Sequence, residues 1–261
     1  MAILKSGIEF TGSMGNVSAY KMQGTDKTVL RTKGGPSKKQ ILKSPKFKRT
    51  RENYTEFGQC GKMGGSIRKA MLSLVSIADY NFTPSLNALA KIIQVLDTES
   101  ERGKRNVLLS KYKHYLNGFS LCKSTAFESM VRHPLTYNID REAAEAVLQV
   151  PGLIPGVNLI LPKQYPLFRF VLSLGCVDDR IFGVNDHIAD HTQSRCVYSD
   201  WYHTGDSLEA AELSVKLTYP EDIQEHSTLI LAVGLQMGVP LTAEIVNPVK
   251  RAGVARIFMV N

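Results

Sequence analysis

The sequence has no run of 18 or more apolar residues, so nothing in it reads as a membrane-spanning helix. Its opening, MAILKSGIEFTG, lacks the basic, apolar and small-residue succession of a secretory leader. The four cysteines, Cys60, Cys122, Cys176 and Cys196, are far apart and form no CxxC pair. A chain of this size needs no disulfide framework, and buried free thiols are the expectation. Together these absences point to the cytoplasm, or to the interior of an assembled particle, with no membrane partner. Catalytic signatures are missing as well. There is no GxSxG elbow, no HExxH pair and no GxxxxGK[ST] loop. No cofactor and no enzymatic activity are expected.

Acidic residues are scarce at the front of the chain. Residues 1–75 carry a balance of +11, residues 76–132 of +3 and residues 133–261 of −6, within an overall +8. Between Lys27 and Arg51 there are ten basic residues (Lys27, Arg31, Lys33, Lys38, Lys39, Lys43, Lys46, Lys48, Arg49 and Arg51) and no acid. Such a segment can neutralise nucleic-acid phosphates, DNA or RNA. Alternatively, the basic front of one copy can dock on the acidic back of the next. A merely solvated charged face is the third reading.

Residues 3–33 read as short strands broken by glycines, with QGTDK a hairpin loop. Val17, Ala19 and Lys21 fall on one face of NVSAYKM, opposite Ser18, Tyr20 and Met22. Leu30 falls on one face of TVLRTK and Val29 on the other. Neither strand is strongly amphipathic, so the hairpin must pack on something else. Val17, Tyr20, Met22 and Leu30 are therefore candidate interface residues, as is Trp201, the sole tryptophan. Gly34-Gly35-Pro36 cannot continue a strand comfortably, and residues 33–43 are expected to be an extended, mobile linker. Domain 1–43 is thus a hairpin and basic arm.

Ser44-Pro45 has the form of a helix start. From there Phe47, Phe57, Cys60, Gly64, Ile67, Met71 and Leu74 keep helical spacing, with a possible break at Gly64-Gly65. Thr83-Pro84 opens a second helix. Leu108, Tyr112, Tyr115, Leu116 and Phe119 suggest a third over 104–119, making 44–132 a small helical bundle. After His133-Pro134 the texture becomes about eight strand-like runs. LSVKLTY alternates, with Leu213, Val215, Leu217 and Tyr219 expected to point inward, and LFRFVLSL alternates similarly. TLILAVGLQM is apolar nearly throughout, as a central strand covered on both faces would be. Region 133–261 is expected to be an antiparallel β-sandwich, immunoglobulin-like or jelly-roll. The fold class is α+β.

The one metal-like constellation is DDRIFGVNDHIADHTQ, where His187 and His191 stand four apart among aspartates. An i, i+4 histidine pair on a helix can ligate zinc. The loop-like setting makes turn chemistry the competing explanation, so these are weak candidates.

The pattern GxxGNVxxYKMxGxxxxVxRTKGGPS, followed by SPxFxxTRxNxxEFxxC, resembles a group of uncharacterised bacterial proteins. It is carried by Gly12, Gly15, Asn16, Val17, Tyr20, Lys21, Met22, Gly24, Arg31 to Ser37, Ser44, Pro45, Phe47, Thr50, Arg51, Asn53, Glu56, Phe57 and Cys60. The resemblance covers the first quarter of the chain and implies that hairpin, linker and helix form one unit. It implies no catalytic residue. On these grounds the leading expectation is a non-enzymatic structural protein that assembles with copies of itself through its N-terminal arm.

Overall fold

A computed structural model describes residues 2–3, 10–22, 25–183, 192–242 and 244–261, the first two by backbone only. The chain divides into two compact units, Met1–Arg51 and Glu52–Asn261.

In the first unit the weak amphipathicity of the hairpin is answered by two added strands. β1 (Ala2–Ile3), β2 (Gly12–Met14), β3 (Val17–Lys21) and β4 (Thr28–Thr32) form an antiparallel sheet in the order β1-β4-β3-β2. Gly15, at φ 56°, turns β2 into β3 in a left-handed geometry that glycine adopts without a Cβ clash. Register sets Ala19 against Leu30 and Tyr20 against Val29. Ala19, Thr28 and Val29 are buried.

The expected extended linker is helical over part of its length. α1 (Lys38–Lys43) starts at Ser37, whose Oγ accepts from the Gln40 amide while Gln40 Oε1 accepts from the Ser37 amide. This reciprocal cap satisfies two amide donors that a helix start leaves orphaned, so six residues fold where composition alone suggested a spacer. Ser44, by contrast, makes no side-chain cap, and Pro45–Phe47 is a single 3₁₀ turn leading into α2 (Lys48–Ala70). α2 runs unbroken through Gly64 and Gly65.

The second unit is α+β. α3 (Thr83–Val95) follows α2, and α4 (Phe127–Met130) is one turn. The remaining strands are β5 (Thr136–Asp140), β6 (Glu145–Val150), β7 (Leu167–Asp178), β8 (Gln193–Tyr198), β9 (Tyr202–His203), β10 (Ala211–Lys216), β11 (Ser227–Pro240) and β12 (Val246–Val260). They make a three-stranded antiparallel sheet, β10-β6-β5, and a five-stranded one, β12-β11-β7-β8 with β9 on β7.

β11 lies between β7 and β12, and its residues from Ser227 to Gly238 are buried on both faces, as its continuous apolar run predicts. On one face Phe168, Phe170, Leu172 and Leu174 of β7 and Leu229, Leu231 and Val233 of β11 share a core with Leu148 and Val215 of the smaller sheet. On the other, Val171, Val177, Ile230 and Ala232 meet Met63, Ile67, Leu74, Leu86 and Ile93 of the helical segment. The helices therefore do not form a bundle of their own; they cover the sheet, and a boundary at residues 132/133 separates no core.

Two further sequence readings are corrected. Residues 104–119 are not an α-helix. Val107 and Leu109 are buried and Leu108 is half-buried, an alternating pattern. The backbone of Val107 exchanges hydrogen bonds with Arg180 at 2.8 and 3.0 Å, and Asp179 accepts from the Ser110 amide and hydroxyl at 2.8 and 2.6 Å. The amides of Gly118 and Leu121 donate to Ile257 and Ala255 of β12. Donors that a helix would use internally are spent on the sheet. Tyr219, expected to point inward, is 54% exposed because β10 ends at Lys216.

The C-terminus of α2 approaches β7 at Gly175, where a Cβ would lie 2.6 Å from the Ala70 carbonyl oxygen and 2.7 Å from its Cα. Because the obstacle is backbone, Gly175→Ala must push the helix off the sheet. The expected cost is about 1–3 kcal/mol, measurable as a lowered Tm and urea midpoint. Gly65→Ala, which meets nothing within 4 Å, is the neutral or stabilising comparison.

Candidate functional site: the cationic N-terminal unit

The sequence-predicted basic residues are placed by β4, α1, the 3₁₀ turn and the first turn of α2. Lys27, Arg31, Lys33, Lys38, Lys39, Lys43, Lys46, Lys48 and Arg49 are exposed, and Arg51 is half-buried. Arg51 does internal work. Its Nη1 donates to the carbonyls of Ile41 at 2.7 Å and Ser44 at 2.9 Å, tying the end of α1 to the start of α2. Arg31 lies 5.7 Å from the centroid of the Tyr20 ring. The arrangement can present positive charge along a continuous segment.

The candidate interface residues divide between the faces of the small sheet. Val17 and Leu30, half-buried, share the Ala19 face; Tyr20 at 39% and Met22 at 41% exposure are on the other side of β3 or just beyond its end. Met14, on the edge strand β2, is 66% exposed and was not singled out by sequence. Trp201 belongs to the second unit. Its ring is 4.4 Å from the Arg169 guanidinium, which also stacks at 4.1 Å on Tyr198 and donates to Gln236 Oε1 at 2.7 and 3.0 Å. Burial lowers the Arg169 pKa, but the guanidinium stays charged. Trp201 also packs on Gly238, where a Cβ would come within 2.5 Å of the indole.

His187 and His191 lie outside the described residues. Among the described residues, no group of three or more His, Cys, Asp or Glu is placed to hold a metal. Cys60, Cys122 and Cys176 are buried free thiols. Burial pushes Cys60 and Cys176 up to about 11 and raises Cys122, so these thiols are protonated at neutral pH and poor nucleophiles.

A buried ionic cluster of the second unit surrounds Glu56, 2% exposed, on α2. Its Oε2 accepts from Lys91 Nζ at 2.6 Å and its Oε1 from the Gly103 amide at 2.8 Å, with Arg105 Nε 3.7 Å away. Gln94 completes the cluster by donating to the Glu56 and Arg105 carbonyls and accepting from Lys91 and the Cys60 thiol. These contacts join α2, α3 and the 97–106 loop. Burial alone would raise the Glu56 pKa, but the Lys91 and Gly103 hydrogen bonds and the Lys91 and Arg105 charges outweigh it, and the net shift is downward. One grouping lay beyond sequence reading: Arg68 meets Lys250 and Arg251 around a cavity, from opposite ends of the second unit.

Comparison with protein-family models, curated proteins and solved structures returns no match. No helix among the described residues is long and apolar enough to cross a membrane.

The Glu56 cluster makes a pH prediction. The folded pKa lies below the ordinary 4.5, so the stabilisation is complete above that value and is lost as pH falls through the lowered one. Glu56→Ala should cost about 1–3 kcal/mol at pH 7, and urea titrations at successive pH values should show the gap to wild type closing in acid.

Proposed function

We propose that the chain is a non-enzymatic structural protein that self-assembles into a particle, tube or filament through its N-terminal unit. The observation that carries this reading is the edge strand β2. Among the described residues it pairs only with β3, so its outer backbone groups face no other described strand, and Met14 is exposed beside them. Natural sheets usually block such edges with charge, proline or a covering segment. Residues 12–14, Gly-Ser-Met, supply none of these devices. A strand from a second copy can complete the edge by β-augmentation, with Met14, Tyr20 and Met22 adding apolar contact. In this reading the two sheets of the second unit are a sandwich that serves as the body of the subunit.

Light scattering on the purified full chain tests the proposal. A mass above 28.9 kDa that grows with concentration is expected. Met14→Lys and Tyr20→Lys, both at exposed positions, should shift the population toward monomer without lowering Tm. A monodisperse monomer at high concentration and low salt overturns the reading.

A second reading is favoured by the nine exposed cations of residues 27–49. It makes the segment a binder of nucleic-acid phosphates, compatible with a shell that contacts packaged nucleic acid. With about six phosphates engaged, affinity should fall on the order of a thousandfold between 50 and 200 mM salt. Fluorescence anisotropy with duplex DNA and with RNA measures this, and charge reversal of Lys38, Lys39, Lys46 and Arg49 should abolish the signal. Salt-insensitive binding, or none, removes the reading.

A further inference from the structure

The end of α2, the segment between α2 and α3, the start of α3 and a bend in β12 form a half-open cavity of about 450 Å³. Arg68, Lys250 and Arg251 line it, and no Asp or Glu does. Among the described residues no carboxylate lies within ion-pair distance of any of the three. Arg68 is steadied without being neutralised: its guanidinium lies 5.0 Å from the Phe82 ring centroid, and Nη1 donates to Thr83 Oγ1 at 3.4 Å. Lys123 adds a fourth positive charge nearby, its Nζ 4.6 Å from the ring centroid of the lining residue Tyr80. The adjacent acid, Asp79, accepts from the amides of Lys123 and Ser124 and from the Ser124 hydroxyl, so both its oxygens are committed to that loop.

Arg251 is held in a conformation that non-glycine residues seldom adopt. Its φ is 58°, and its amide donates to the Ser76 carbonyl at 2.8 Å. An arginine at this bend sets a cation at the cavity where glycine would fit the backbone with less strain. Like charges gathered around one concavity repel unless an anion joins them.

We infer that this cavity binds a small molecule with an oxyanion head, a phosphate ester or a carboxylate. Arg68 and Arg251 supply planar guanidinium donors suited to paired oxygens, and Lys250 supplies a point charge. The volume is in the range of small-molecule sites and exceeds what a lone phosphate fills. Val75 and the Tyr80 ring are the wall for the remainder of the ligand. The inference is independent of how the N-terminal unit is used.

Isothermal titration of the full chain with pyrophosphate and with citrate, at low ionic strength, tests it. The informative variant is K250Q/R251G: both positions are exposed, and glycine at 251 keeps the left-handed backbone while removing the charge. An unliganded Tm equal to wild type establishes that it is folded. Its affinity should fall about tenfold or more, as loss of charge-assisted hydrogen bonds requires, whereas K38Q/K39Q should bind as wild type does. Tighter pyrophosphate binding assigns a phosphate head, and tighter citrate binding a carboxylate one. No binding of either probe at millimolar concentration overturns the inference. So does equal affinity in wild type and K250Q/R251G, or a loss confined to K38Q/K39Q, which would place the anion on the N-terminal segment.

Discussion

A strand that is apolar on both faces cannot be left with either face in water, and β11 imposes that condition on the whole second unit. Fully burying one side chain of the leucine class is worth about 1.5–3 kcal/mol, and β11 presents such residues in both directions. One direction is covered by the β10-β6-β5 sheet and the other by α2, α3 and the segments after them. The close fit of the helical side follows from the same condition. Gly175 lets Ala70 approach, and at Gly234 a Cβ would come within 2.7 Å of Leu74 and Ile77 side-chain atoms. Helix and sheet backbones meet where side chains are missing, so dispersion contacts replace what a larger residue would have forced apart.

The polar interior is organised to hold elements together. Glu56 joins two helices to a loop, and Asp179 fastens the 107–110 segment to the end of β7. Burial pushes the Asp179 pKa up, against hydrogen bonds from Ser110 that favour the ionised form. Carboxylates with this many donors, beside thiols that remain protonated, describe fastening. A long run of exposed cations lies apart from these fasteners, in the first fifty residues, where short strands and a six-residue helix bury little.

Legibility in the sequence followed the length over which one period is sustained. The apolar run of β11 and the alternation of Leu213, Val215 and Leu217 announced their strands, because each strand feels the same core along its whole length. α2 was legible for the same reason, since its buried face repeats from Glu56 to Ala70. Leu108, Tyr112 and Leu116 mimic a helix only by coincidence of spacing; the anchors that decide their conformation, Asp179, Arg180 and β12, lie about 70 to 140 residues away. Ser37 was passed over because a capping box preceding a short basic segment looks like linker composition. The cationic cavity was illegible for a further reason: Arg68 and the Lys250-Arg251 pair become neighbours only when β12 returns beside the α2–α3 connection.

Trp201 has an optical consequence. It is the only indole in the chain, and it belongs to the second unit. Held between Gly238 and the Arg169 guanidinium, it reports on the end of the large sheet where β7 and β11 run past β9. Tryptophan emission therefore follows that sheet alone and is blind to order in the N-terminal strands, whose Tyr20 must be read by other means. A molecule of two units carries, in one residue, a spectroscopic label for only one of them.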